Sequence, residues 1–394
     1  MPLNSDGGGR VRSRPRRFLN WKVLLGVGLS AGLLYYALRD VHFADVFREI
    51  RTADPLLFLA AVTAATVIYV VRAWRWKPIL EPVKPGTRFR PRFACVSIGF
   101  MGNNLLPARM GEFARAYSMS RLEGIPVTSS LASLVVERLF DGMALVAFLL
   151  VAMAHPDFPD MGLVAGVSMG RWIAGVGAVL AVVAGLLLSL ALWPAQAARG
   201  VERLVARLLP ARLGRAVIEV LEAFLSGVVA IRHPGLVVRA ALWSVVLWLL
   251  GALSFWLGFL AFDIHVPFTA AIFLQSLVSL FVSMPSAPGF FGLFEAAARV
   301  GLVDVFGVDA ASAVGFAIGF HMGGFIPITV IGLYYVWRLG ISWRDVEQSE
   351  EIVEEAVESA AGVEPLVEDV LPPLDTGAYD EIDGDARDER EGAN

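Results

Sequence analysis

Apolar runs alternating with short basic segments set the organisation of this chain. The runs fall near residues 21–38, 55–73, 93–107, 128–154, 171–193, 237–261, 268–284 and 309–337. Helical runs of about 20 residues or more can cross a hydrocarbon core of about 30 Å, and runs near about 16 are short for it. The first run follows Arg10-Val-Arg-Ser-Arg-Pro-Arg-Arg17. It is long for a signal peptide, ends in bulky Tyr35 and Tyr36, and has no convincing small-x-small site before Arg39. It is therefore expected to be an uncleaved first span. The second run closes in Arg72-Ala-Trp-Arg-Trp-Lys77, and the loop beyond carries Lys84, Arg88, Arg90 and Arg92. Basic short loops stay in the cytoplasm, which puts both the N-terminus and this loop there.

Counting crossings predicts two runs that enter and return on one side. Seven arginines mark 196–239 as a further cytoplasmic loop. Three runs lie between it and the earlier cytoplasmic loop, and three crossings would leave it outside. The run that turns back is 93–107, which is short and ends in the polar, helix-breaking Gly102-Asn-Asn-Leu-Leu-Pro107. The same count applied to the last three runs selects 268–284, which leads into Ser283-Met-Pro-Ser-Ala-Pro-Gly289. Irregular backbone at membrane depth needs protein or a water-filled cavity around it, and two broken segments of opposite polarity suggest an inverted repeat. An echo supports the repeat: Pro107, Gly111 and Glu112 recur in order as Pro288, Gly292 and Glu295, with Arg138 and His321 each 26 residues beyond the glutamate. The expected fold is an all-α membrane bundle of six full spans and two re-entrant helices. Whether 309–337 is one span or a broken pair stays open, given Gly323, Gly324 and Pro327.

Composition agrees with a lipid-facing protein: 56% of residues are hydrophobic, 18% are charged, and the mean hydropathy is +0.64. The net charge of −4 hides two populations. Residues 345–394 hold 18 acidic and 2 basic side chains, leaving 19 acidic and 31 basic before them. Three regions follow: a basic cytoplasmic N-terminus (1–19), a transmembrane domain (20–344) and a disordered acidic cytoplasmic tail (345–394). Residues 199–215 read as an amphipathic helix drawn to an anionic membrane surface. Cys95 is a small apolar helix residue without a disulfide partner.

The candidate chemistry lies in charges set within apolar runs. Burying an ionisable group at mid-bilayer costs at least about 2.5 kcal/mol, so such groups face a cavity or a partner. Arg109, Glu112 and Arg115 follow the first broken segment, and Glu137, Arg138 and Asp141 interrupt the run 131–154. Either they are ion pairs that hold the bundle, or they form a polar substrate site in which guanidinium groups take a phosphate. Arg72 and Arg75 are cytoplasmic anchors or headgroup ligands, and Trp74 and Trp76 belong to the interfacial aromatic belt. Asn103 and Asn104 cap broken backbone or bind a headgroup. His321 is a hydrogen-bonded interior histidine or a proton carrier. No P-loop, His-Glu-x-x-His, Gly-x-Ser-x-Gly or cysteine pair is present, so no cofactor or metal is expected. Topology explains the basic residues, so no nucleic-acid partner is expected.

Asn103-Asn-Leu-Leu-Pro-Ala-Arg-Met-Gly-Glu-Phe-Ala-Arg-Ala116, Ser133-Leu-Val-Val-Glu-Arg-Leu-Phe-Asp-Gly142, Met284-Pro-Ser-Ala-Pro-Gly-Phe-Phe-Gly-Leu-Phe-Glu295 and Arg72-Ala-Trp-Arg-Trp76 together resemble the transmembrane region of lysylphosphatidylglycerol synthases, over about residues 20–340. The resemblance implies a flippase-like domain moving a phospholipid or lipid-linked headgroup between the leaflets of a bacterial-type plasma membrane. It implies no aminoacyl transfer, which a separate soluble domain performs in those synthases. It places Arg109, Glu112, Arg115, Glu137, Arg138, Asp141 and Glu295 on motif positions, and His321 where an arginine would be expected. Two other functions compete: a membrane-embedded lipid-modifying enzyme using Glu137 and Asp141, and a scaffold acting through the acidic tail.

Overall fold

The computed structural model describes residues 21–159, 163–164, 167–168, 171, 175, 178 and 234–341. Helix α1 (Trp21–Leu38) meets α2 (Phe43–Thr52) at a bend of 80°. Helix α3 (Pro55–Leu80) begins on an N-cap, with Asp54 accepting from the backbone N–H of Leu56 and Leu57 at 2.8 and 2.9 Å and Pro55 pre-set at the first position. Helix α4 (Phe89–Leu105) stops at a 3₁₀ turn, Pro107–Arg109, and α5 (Gly111–Glu123) ends on left-handed Gly124. Helix α6 spans Val127–Ala154, and the two-residue strands Leu163–Val164 and Val167–Ser168 pair beyond it. The second half comprises α7 (Pro234–Ala261), α8 (Phe268–Phe281), a 3₁₀ turn Pro288–Phe290, α9 (Leu293–Ala298) with a π-helical extension Arg299–Val305, and α10 (Ala310–Arg338).

Among the described residues, three helices have the length and apolar composition to cross a membrane, α3, α7 and α10, or four if bent α1–α2 counts as one span. The six full spans expected from the sequence are not all among them. Helix α6 has 28 residues, but Glu137, Arg138 and Asp141 interrupt its apolar surface. The run 171–193 is described only at 171, 175 and 178, and the N-terminal region 1–19, the amphipathic segment 199–215 and the tail 345–394 lie outside the described residues. Helices α4 and α8, with 17 and 14 residues, reach only about 26 and 21 Å, short of a hydrocarbon core of about 30 Å. Residues 310–338 form one continuous helix through Pro327.

The order of elements recurs: long helix, shorter helix, proline-led 3₁₀ turn, short helix, long helix. The turns match in backbone detail, since Arg109 and Phe290 each occupy the third position with φ of 58° and 60°. Packing is exchanged between the halves: α4 lies along α10, α8 along α6, and α3 against α7. Close approach of α4 to α10 requires Gly332, where a Cβ would strike the Met101 side chain and the Ser97 carbonyl. The first core gathers Trp76, Ile98, Met101, Met119 and Leu134; the second gathers Phe255, Phe259, Leu274, Phe316 and Phe320. Cys95 is buried in α4.

Candidate functional site

Helix α3 presents Arg72 and Arg75, three residues apart, to Glu137 and Asp141, four residues apart on α6. Both spacings put the two side chains on one helix face. Arg75 is fully buried, and its Nη1 donates to Asp141 Oδ1 and, at 3.2 Å, to Ser244 Oγ of α7. Arg72 Nη1 lies 3.2 Å from Asp141 Oδ2 and 3.5 Å from Glu137 Oε1, with the guanidinium over the Phe100 ring. Arg115 of α5 grips Glu137 with two parallel hydrogen bonds, 2.9 and 2.8 Å, the fork geometry that a guanidinium supplies and an ammonium does not. Its other face lies 3.9 Å from the Trp76 ring, and Trp76 Nε1 donates to Ser133 Oγ at 2.9 Å. Trp76 is therefore a buried platform, which corrects its assignment to the aromatic belt; Trp74 is 45% exposed. Arg72 and Arg75 likewise sit inside α3 rather than at its rim, because the helix continues to Leu80.

Arg138 is the outward member of this group. Its Nη2 lies 3.2 Å from Glu137 Oε1 and 3.6 Å from Glu112 Oε1, and its Nη1 lies 3.6 Å from Asp141 Oδ2. The Arg138 side chain is 41% exposed, whereas those of Arg75, Arg115 and Glu137 are at most 2% exposed. Four guanidinium groups and three carboxylates thus leave one formal positive charge, with Arg138 at the accessible edge.

The remaining candidates form separate groups. Arg109 Nη2 donates to the Val282 carbonyl and its guanidinium lies 5.7 Å from the Phe290 ring, so it joins the first break to the second. Asn104 Nδ2 donates to Thr329 Oγ1 at 2.8 Å, while Asn103 Oδ1 is buried with no hydrogen-bond partner among the described residues. Glu295 accepts from the Gly292 N–H at 2.6 Å through Oε2, and its Oε1 lies 2.7 Å from His321 Nδ1. Sequence inspection did not single out Ser244 or Arg299. Buried Arg299 donates to the Ala37 and Arg39 carbonyls at 3.1 and 2.7 Å, closing the C-terminus of α1. A lone arginine directly after the alanine run Ala296-Ala-Ala298 was the available signal.

Comparison with known proteins bears on these positions. The sequence profile described as "Lysylphosphatidylglycerol synthase TM region" matches residues 23–332. A relative in Haloferax volcanii, named "Glycosyltransferase AglD", is 30% identical over 366 residues, covering 86% of this chain and 58% of its own length. The chain thus spans little more than half of that relative. Two "UPF0104 membrane protein" relatives in Methanothermobacter thermautotrophicus are 26% and 22% identical, each covering 74% of this chain and 85% and 86% of their own lengths. With the family profile running through both broken segments and every charged residue of the cluster, the chain belongs to the family of the lysylphosphatidylglycerol synthase transmembrane region and is a helical membrane protein.

Proposed function

We propose that this protein moves a lipid with a phosphate-bearing headgroup between leaflets, with Arg138 as the headgroup's first contact. The observation that carries this is the graded arginine cluster. Arg75 and Arg115 are locked by buried carboxylates, and Arg138 is partly exposed with contacts of 3.2–3.6 Å that a phosphate could replace. A guanidinium offers a phosphate two parallel hydrogen bonds, and the cluster's surplus positive charge favours an anion. Arg72, Arg75, Arg115, Glu137 and Asp141 hold that guanidinium in place. Arg109, Glu112, Asn103 and Asn104 line the route at the first break, and Glu295 and His321 line it at the second.

The recurring element order and the exchanged packing support two halves related as an inverted repeat, with α4 and α8 re-entering from opposite sides. Rocking of one half against the other would then expose the headgroup site to each side in turn, while acyl chains stay in lipid. In this arrangement both termini are cytoplasmic, in a plasma membrane, and basic segments rest on an anionic lipid surface. A lipid-modifying enzyme is the second reading, favoured by the name of the Haloferax relative. Carboxylates already held by two or more guanidinium groups are poor proton carriers, which favours transport by this part of the chain. The test is leaflet exchange of fluorescent phosphatidylglycerol in vesicles: exchange by wild type and loss in Arg138→Ala support transport, whereas a chemically altered lipid product would support the enzyme.

A further inference from the structure

The two halves carry the same pair with different chemistry. Glu112 and Arg138 are 26 residues apart and 3.6 Å from each other; Glu295 and His321 are 26 residues apart and 2.7 Å from each other. Each glutamate follows a proline-led 3₁₀ turn, and each partner sits in the long helix that comes next. An arginine keeps its proton at all physiological pH values, whereas a histidine exchanges its proton near neutrality. The first pair thus sets a guanidinium against its glutamate, and the second an imidazole.

The second pair is closely held. Both oxygens of Glu295 are engaged, one by the Gly292 N–H and one by His321 Nδ1. The glutamate side chain is 2% exposed and the imidazole 10% exposed, so the ring keeps an opening to its surroundings. Phe294 and Phe291 flank the ring, with centroids at 4.5 and 5.0 Å. Other charged groups on elements packed against α10 are committed elsewhere. Glu49 of α2 seats at Gly315, Arg299 binds α1 carbonyls, and Asp304 accepts from Tyr36. Asp309 caps α10 itself, Arg72 and Arg75 of α3 face α6, and Arg90 and Arg92 begin α4 beside the far end of α10, where Phe93 meets Tyr335. Helix α7 brings Phe255 and Phe259.

We infer that Glu295 and His321 form a proton-binding site that takes up a proton when a phosphate-bearing headgroup is bound and releases it when the headgroup leaves. This rests on the transport reading and names the driving force for it. Unprotonated, the pair carries a net negative charge that repels an anionic headgroup; protonated, it is neutral. Headgroup and proton then strengthen each other's binding by the same factor, as linkage requires. The pair also has a mechanical connection to the first break. His321, Phe325 and Thr329 recur every four residues on one face of α10, Phe291 touches both His321 and Phe325, and Asn104 donates to the Phe325 carbonyl and to Thr329. A change at His321 thus acts on the helix face that holds the end of α4.

The test adds phosphatidylglycerol to the purified full-length protein in weakly buffered detergent and follows proton uptake with a pH indicator dye, alongside binding measured from about pH 5 to about pH 8. Wild type should take up protons on lipid addition and bind at least about fivefold more tightly at the acidic end. His321→Arg, with fixed charge, and His321→Gln, with none, should each give a flat binding profile and no lipid-linked uptake. His265→Gln, a substitution at a loop histidine whose side chain is 79% exposed, should keep the wild-type profile. Lipid-linked uptake that persists in both His321 variants, or its absence in wild type, overturns the proton site. Uptake lost in the variants together with no leaflet exchange by wild type at any pH would keep the proton site and overturn transport.

Discussion

Glu295 Oε1 lies 2.7 Å from His321 Nδ1, joining the short helix after the second break to the last long helix. Its counterpart, Glu112 with Arg138, joins the corresponding elements of the first half at 3.6 Å. The shorter pair is nearly enclosed, and the longer one opens outward through Arg138. One half therefore sets an arginine against its glutamate and the other a histidine.

Glu137 is the keystone of the arginine cluster. Its oxygens meet Arg115 twice and lie within 3.5 Å of Arg72, Arg75 and Arg138. Glu137→Ala would strand buried guanidinium groups, at a cost of about 3–5 kcal/mol. Thermal unfolding in detergent should show a large drop in Tm. Arg115→Lys should also lower Tm, because one ammonium cannot make the fork to both oxygens. Unchanged melting in both variants would mean the cluster contributes nothing to the fold.

Gly111 lets α5 rest on α4. A Cβ there would strike the Gly99 carbonyl oxygen and lie 2.6 Å from the backbone nitrogen and Oδ1 of Asn103. Gly111→Ala should destabilise by about 1–3 kcal/mol or more, as overpacking does, read as loss of the monodisperse peak on size exclusion. Gly28→Ala, where a Cβ meets nothing within 4 Å, is the control expected to behave as wild type.

Arg109 spans the two breaks through the Val282 carbonyl and the Phe290 ring. A hydrogen bond from a charged donor contributes about 1.5–3 kcal/mol. Arg109→Ala should therefore raise amide hydrogen exchange across residues 283–291 by roughly tenfold or more, with α3 and α7 unaffected. Exchange equal to wild type would show that the breaks are held by packing alone.

Both breaks were legible in the sequence because proline and glycine interrupt apolar runs at Pro107, Gly111, Pro288 and Gly292. Counting basic loops selected the same two segments independently. The end of α3 was not legible. Hydropathy falls at Arg72, yet the helix runs on to Leu80, because Glu137 and Asp141, more than 60 residues away, neutralise its arginines. The same distant pairing hid Trp76, whose neighbours mark an interface in sequence while Arg115 covers it in space. Helix α2 escaped notice because Asp45, Arg48, Glu49 and Arg51 give it no apolar run, although its Val46 is buried. Arg299 escaped because its partners are main-chain carbonyls, which leave no trace in side-chain patterns.

Native mass spectrometry of the purified protein, wild type beside Arg138→Ala, bears most directly on the claim that this cluster holds a lipid phosphate. The expected result is a defined phosphate-bearing lipid bound to wild type and absent from the variant, with both proteins equally folded by circular dichroism. Equal, nonspecific lipid on both would contradict it and leave the arginine cluster as internal bracing of the bundle.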